Sequence, residues 1–268
     1  MLKTEMRNEK TTHLDKMTPL EICEVMNEEN MHSVLAVEKA RPQIALAVEA
    51  ATKAIAGGGK MVYVGAGTSG RLGIMDAAEC PPTFGVDYET VMGIIAGGKE
   101  RVFKAGEGEE DRYETGVADV QNLLNPGDIL VGISAAGGAK YVVGAIEEAK
   151  RIGCITVSLS SNSDTAIEKV ADIAIVCDTG AEVLTGSTRL KAGNTQKFVL
   201  NMLSTGAMVG TGKVYENMMI NLKPSNIKLR GRVIRITSNI LGCDEATAEA
   251  LLEKHNWSIR ETVEAEKK

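Results

Sequence analysis

The feature of this sequence that most limits its fold begins at Lys60, where short apolar runs of strand length start to alternate with longer stretches of helical spacing. Candidate strands lie at 61–65, 91–96, 129–134, 155–159 and 173–176. Between them Tyr113, Val117, Val120 and Leu124 recur at helical spacing, as do Val142, Ile146 and Ala149. Strand, helix and strand in succession build a parallel sheet covered on both faces, so the pattern predicts an α/β sandwich of three layers around five parallel strands. Only 3% of the residues are aromatic. Val, Ile, Leu, Ala and Met must therefore fill the core.

The flanks read as helical. Residues 1–57 are expected to form two helices, one around Leu20, Cys23, Val25 and Met26 and one around Val34, Leu35, Ile44 and Val48. Thr18-Pro19 suits a helix start, and Gly57-Gly58-Gly59 ends the second helix. A buried helix is expected after Gly193 through Met208, another over 227–240, and short helical arcs over 242–264. The predicted division is N-terminal helices over 1–57, an α/β domain over 58–225 and a small C-terminal helical tail over 226–268.

A formal charge of −6 argues against nucleic acid as a partner. No apolar run approaches the roughly 20 residues of a membrane span, so no membrane role is expected. Lys3, Glu5, Arg7 and Glu9 do not resemble a secretory leader, and five scattered cysteines suit reduced thiols, so a cytoplasmic protein is expected. His13, His32 and His255 lie far apart, and no metal site is expected.

Gly65-Ala66-Gly67-Thr68-Ser69-Gly70 follows the first candidate strand and satisfies a dinucleotide-type glycine pattern. The second strand, however, runs into Gly97-Gly98 with no carboxylate for a ribose, and Arg71-Leu72 replaces the Lys and Ser or Thr of a nucleotide-triphosphate loop. What remains are backbone N–H groups at a helix start, the hydroxyls of Thr68 and Ser69, and the Arg71 guanidinium. Those donors suit a compact phosphomonoester. The same glycines also suit a plain tight turn that packs helix on sheet.

From this loop onward the wording becomes specific. GAGTSGRLGIMDAAECPPTFG over 65–85, IAGGKERVFKAGEGEEDR over 95–112 and GAEVLTGSTRLKAGNTQKFVLNMLSTGAMVGTGKVYENMMINL over 180–222 resemble, in order and spacing, the N-acetylmuramic acid 6-phosphate etherase family. The resemblance implies a sugar-isomerase (SIS) domain that works as a homodimer with sites near the subunit boundary, a small-molecule sugar phosphate as substrate and no cofactor. The implied reaction removes the lactyl ether from N-acetylmuramic acid 6-phosphate during cell-wall sugar recycling. The family pattern implies two catalytic carboxylates, Glu79 as proton donor to the leaving group and Glu110 as base. Substrate contacts are expected from the loop donors Gly67, Thr68, Ser69, Gly70 and Arg71, from Ser134, outside the family register, and Gly137 in the second loop, and from the polar cluster Ser187, Thr188 and Lys191 beside Arg189.

Each group has a plainer reading. Glu79 precedes Cys80-Pro81-Pro82, where a helix is expected to end, and so suits a solvated last turn. Glu110 sits in the acidic run Glu107, Glu109, Glu110 and Asp111, which suits a helix start. The cluster from Ser187 to Lys191 suits a capped helix start with exposed charge.

The chain departs from the family at 132–141, GISAAGGAKY, where the family reads GIAASGRTPY: Ala136, Gly138 and Ala139 stand for the serine, arginine and threonine. Each hydrogen bond lost to a charged group is worth roughly 1.5–3 kcal/mol, about one to two orders of magnitude in affinity. The departure motivates an alternative, a non-catalytic sugar-phosphate-binding regulator related to the same family.

Overall fold

The computed structural model describes residues 1–222, 224 and 226–267. Ser225 and Lys268, where two of the expected boundaries fall, lie outside them. Three 3-10 turns at Lys3–Glu5, Glu9–Thr11 and Leu14–Lys16 lead into helix α1, Pro19–Ala56. The order continues β1 Met61–Gly65, α2 Gly67–Phe84, β2 Val91–Ile95, α3 Glu100–Phe103, a 3-10 turn at Glu109–Asp111, α4 Tyr113–Gln121, β3 Ile129–Ile133 and α5 Lys140–Ile152. Then come β4 Ile155–Ser160, α6 Ala166–Val170, β5 Ile173–Val176, α7 Lys191–Gly210, a hairpin of β6 Val214–Tyr215 and β7 Met218–Met219, and helices α8 Ile227–Leu241, α9 Glu245–Lys254 and α10 Ile259–Glu266.

The five expected strands form one parallel sheet in the order β2-β1-β3-β4-β5. Each observed strand end lies within one residue of its expected position. All residues of β1 and β3 are buried, as a central strand with helices on both faces requires. Met61, Tyr63, Ile129, Val131 and Val157 pack against α1, α2 and α7, while Val62, Val64 and Leu130 pack against α4, α5 and α6. Gly65 is level with Ile133 in the register of β1 and β3, so the loops leaving these neighbouring strands start side by side. The three C-terminal helices share a separate apolar cluster of Val233, Ile240, Leu252, Ile259 and Val263.

Two helix expectations are corrected. The N-terminal region holds one 38-residue helix rather than two. Its start is fixed by a capping box, in which the Thr18 N–H donates to Glu21 Oε2 at 2.7 Å while the Glu21 N–H donates to Thr18 Oγ1 at 3.4 Å. Pro42 does not break it. The carbonyl of Glu38, which a residue at position 42 would normally satisfy, accepts instead from Arg41 Nε at 3.0 Å. The buried stripe of Ala36, Ala40, Ala47 and Ala51 lets α7 approach closely: a Cβ on Gly206 would lie 2.7 Å from Val48. Helix α2 likewise runs through Pro81 and Pro82 instead of ending at Glu79, and stops where Gly85 takes a φ of 66° and donates to the Pro81 carbonyl at 2.9 Å.

The start of α7 is anchored by buried charge. Lys191, expected among the substrate donors, is only 2% exposed and gives its ammonium to Glu29 Oε2 on α1 at 2.5 Å. Glu182, fully buried, accepts the N–H groups of Lys191 at 3.0 Å and Ala192 at 2.9 Å, and so caps the helix. Burial pushes the Glu182 carboxyl up, against the pull of those two N–H groups. For Glu29 burial acts in the same direction, but the hydrogen bonds from Lys191 and Asn8 outweigh it and hold the carboxyl below its usual range.

Lys191→Met leaves the Glu29 carboxylate buried without its main partner, and should lower the unfolding free energy at pH 7 by about 3 kcal/mol in urea titrations. Because the folded-state pKa of Glu29 is depressed in the wild type, the pair's stabilisation is full above the unfolded carboxylate pKa of about 4.3 and is lost as pH falls through the lower folded value. The variant's deficit should therefore shrink on acidification, and Glu29→Gln added to Lys191→Met should recover much of it.

Candidate active site

Two long helices start beside each other at the carboxyl ends of β1 and β3, and neither has a capping side chain. Ala66 occupies the N-cap of α2 and Ala139 that of α5. The Ser69 and Val142 N–H groups turn back to these N-cap carbonyls at 3.1 and 3.0 Å, which leaves the first two N–H groups of each helix without a partner among the described residues. Beside these helix starts is a cavity of about 200 Å³ lined by Ala66, Gly67, Thr68, Ser69, Glu110, Ile133, Ser134, Ala135, Ala136, Ala139 and Thr188. A second cavity of about 330 Å³ shares Ala66, Gly67 and Glu110 with it and is otherwise walled by Arg71, Ala96, Arg101 and residues 105–109. Glu110 stands where the two meet.

The acidic run divides its work. Glu109 is taken up by Arg101 at 3.4 Å and Arg112 at 3.6 Å, whereas Glu110 is exposed and has no hydrogen-bond or ion-pair partner among the described residues. An unpaired carboxylate at the mouth of a cavity keeps both oxygens free for a proton in transit.

The other expected contacts fall into separate groups. Gly67, Thr68, Ser69, Ser134 and Thr188 line the cavity. Ser134 Oγ accepts the Gly137 N–H at 3.1 Å, so its own proton is free to be donated. Gly137 is beneath the loop at a φ of 78°, and a Cβ there would lie 2.4 Å from Thr165. Gly70 does not reach the cavity either. A Cβ on it would lie 2.6 Å from the Gly65 carbonyl and from Ile95, so this glycine lets α2 pack directly on the sheet.

Arg71 differs from expectation as well. Its Nε donates to the Val102 carbonyl at 2.8 Å and its Nη2 to the Arg101 carbonyl at 2.7 Å, which ties α3, the short helix ahead of the loop carrying Glu110, to α2. Ser187 is partly buried, Arg189 is exposed, and neither lines the cavity. Lys191 is committed to Glu29, as described above.

Glu79 lies elsewhere. It is exposed, lines neither cavity, and follows Thr68 by about 16 Å along α2 at 1.5 Å per residue. One turn before it, Asp76 accepts from Tyr63 at 3.0 Å and from Asn201 Nδ2 at 2.6 Å. Asn201 in turn lines a wide apolar groove with Val34, Val37, Phe198 and Met202, between α1 and α7. Cys80, beside Glu79, is buried, and burial followed by the Asp76 charge pushes its thiol up to about 12, far from a reactive thiolate.

Sequence reasoning missed Asn162, which bonds the cavity-wall carbonyl of Ala135, and Glu182, Glu29 and Asn8, which anchor the start of α7 behind it. Their partners are remote in the chain, and no local spacing announces them. No cluster of His, Cys, Asp or Glu among the described residues is arranged to hold a metal ion, and no described helix is long and apolar enough to cross a membrane.

Comparison with known proteins agrees with this geometry. The family model for the glucokinase regulatory protein N-terminal SIS domain matches residues 43–150. The N-acetylmuramic acid 6-phosphate etherase of Symbiobacterium thermophilum is 48% identical over 264 residues, covering 98% of this chain and 88% of that protein. The etherase of Halalkalibacterium halodurans is 50% identical over 260 residues, covering 97% and 87%. Among solved structures, a phosphoheptose isomerase from Francisella tularensis is similar with a TM-score of 0.53 at 20% identity, covering 74% of this chain and 100% of that one. The Vibrio vulnificus NanR protein complexed with ManNAc-6P gives a TM-score of 0.53 at 17% identity, covering 72% and 65%. The structural likenesses establish an SIS-type fold. The sequence identity, sustained over nearly the whole chain, establishes more: this protein belongs to the N-acetylmuramic acid 6-phosphate etherase family.

Proposed function

We propose that this protein is a carbon–oxygen lyase that cleaves the lactyl ether of N-acetylmuramic acid 6-phosphate, giving N-acetylglucosamine 6-phosphate and D-lactate. The observation that carries the reading is the high identity to etherases over nearly the full chain, joined to a cavity in which an unpaired carboxylate faces two uncapped helix starts. Cytoplasmic cell-wall sugar recycling is the setting this activity suits.

In this reading the phosphate sits against the first turns of α2 and α5, with hydroxyl donors from Thr68, Ser69, Ser134 and Thr188. The open-chain aldehyde acidifies the carbon-2 proton, and Glu110 removes it. As the electron pair forms the carbon-2 to carbon-3 double bond, the carbon-3 ether bond breaks and its oxygen takes a proton, so lactate leaves. Water then adds at carbon 3 of the unsaturated aldehyde and carbon 2 is reprotonated, with the acid and base in exchanged roles. No electrons are gained or lost overall, and one water is consumed.

Glu79 is the proposed proton donor, and a homodimer reconciles that role with its position. Met31, Val34, Leu35 and Leu46 on α1 and Phe198, Met202 and Val209 on α7 are exposed, more apolar surface than a solitary subunit normally presents on neighbouring helices. The proposed dimer covers this face and has Glu79 of one subunit serve the cavity of the other.

Incubation of the protein with N-acetylmuramic acid 6-phosphate should release D-lactate, and Glu110→Gln should reduce the rate at least about a hundredfold while leaving sugar-phosphate binding largely intact. Saturable binding without lactate would instead support a regulator, the reading favoured by the methyl-lined wall of Ala135, Ala136 and Ala139. Mixing Glu79→Gln with Glu110→Gln subunits tests the shared site. Random pairing gives one intact site in each mixed dimer and about a quarter of the wild-type rate; no recovery would exclude donation of Glu79 by the partner.

A further inference from the structure

The second loop of the cavity, 134–139, has almost nothing of its own to hold its shape. After Ser134 it consists only of Ala and Gly, so its conformation must be supplied by neighbours. Backbone supplies part of it, the Ser161 N–H donating to the Ala135 carbonyl at 2.9 Å and the Ile167 N–H to the Gly137 carbonyl at 3.2 Å; the side-chain tie runs through Asn162 to the N-terminal segment. Thr4 is fully buried against Asn162, which is itself 5% exposed just beyond β4. Asn162 Oδ1 accepts the N–H groups of Lys3 at 2.8 Å and Thr4 at 3.4 Å. Its Nδ2 donates to Thr4 Oγ1 at 3.0 Å and to the carbonyl of Ala135, in the cavity wall, at 3.2 Å. All the hydrogen-bonding capacity of this amide is in use.

A few residues later the same segment reaches the opposite wall. Asn8 Nδ2 donates to Glu29 Oε2 at 2.7 Å and to the Ala181 carbonyl at 3.2 Å, and Thr11 Oγ1 donates to the Val183 carbonyl at 2.8 Å. Ala181 and Val183 bracket Glu182, whose carboxylate caps α7 just after the turn that carries Thr188. Both walls of one cavity are thus tied to one short stretch of chain, and buried polar ties of this kind are costly to break singly.

We infer that residues 3–11 form a positioning strap for the substrate cavity, in which Thr4, acting through Asn162, sets the loop from Ser134 to Ala139. The inference rests on the reading of this cavity as a sugar-phosphate site. Thr4 and Asn162 are positioning residues, and the consequence falls on affinity rather than on the chemical step, because Glu110 lies on a different loop, which makes none of these bonds to the strap.

The test measures the dissociation constant of N-acetylglucosamine 6-phosphate by calorimetry beside the kcat and KM of lactate release, in the full chain. Thr4→Val keeps the shape and loses the hydroxyl; it should weaken binding about tenfold and raise KM to match, with kcat within about twofold of wild type. Thr4→Ser should restore both. Asn162→Asp retains the two acceptor bonds to the strap but cannot donate to Ala135, and should weaken binding at least as much while the strap stays docked. It decides the matter if Thr4→Val fails to fold. Folded variants that bind as the wild type does, or a loss in kcat instead of affinity, would overturn the inference. Wild-type binding without lactate would sink the lyase reading alone, since the binding arm still reports on the strap.

Discussion

Two helix dipoles left open at adjacent strand ends are the constraint on which the rest of this structure depends. In the order β2-β1-β3-β4-β5, the chain leaves β1 toward one face of the sheet and β3 toward the other, so a crevice opens between their carboxyl ends. The helices that leave these strands have alanine at the N-cap, where a Ser, Thr or Asp would contribute about 1 kcal/mol. The chain knows how to cap helices elsewhere: Thr18, Thr165, Asn226, Asp244 and Ser258 each accept an N–H in the first turn of α1, α6, α8, α9 and α10. Glu110 lines the cavity that these two uncapped helix starts border.

Rigidity around the crevice comes from long charged side chains bonded to the protein itself. Arg71 uses its guanidinium on two backbone carbonyls of α3, ahead of the Glu110 loop, and Lys191 directs its charge to Glu29 to hold α7 against α1. Glu182 occupies the start of α7 with a carboxylate of the protein's own, so that helix is closed to an outside anion while α2 and α5 remain open. The loop from Ser134 to Ala139 gains from its neighbours the order that its own small residues do not provide. An enzyme with fewer donors on that loop has correspondingly greater need of accurate placement of those that remain.

The sheet was legible because strand and helix periods alternate cleanly over Met61 to Val176, and all five strands lie where the apolar runs indicated. Misreadings arose in two helices. Two groups of apolar residues suggested two N-terminal helices where one runs through Pro42, and Pro81-Pro82 suggested an end to α2 that comes only at Gly85. The cavity loop, Glu110 and Thr188 could be read from the family wording, but what Arg71 and Lys191 do could not. A long cationic side chain has several possible partners, and its choice depends on residues far away in sequence. The same holds for Glu79, which local pattern and family wording both mark and whose surroundings in a single subunit are a helix face beside an apolar groove.

The most direct measurement is a crystal structure of the protein with N-acetylglucosamine 6-phosphate. The account predicts phosphate oxygens within hydrogen-bonding distance of the first-turn amides of α2, near Thr68 and Ser69, and carbon 2 of the sugar facing Glu110. A sugar phosphate seated in the groove between α1 and α7, or bound with Glu110 turned away from it, would contradict the account.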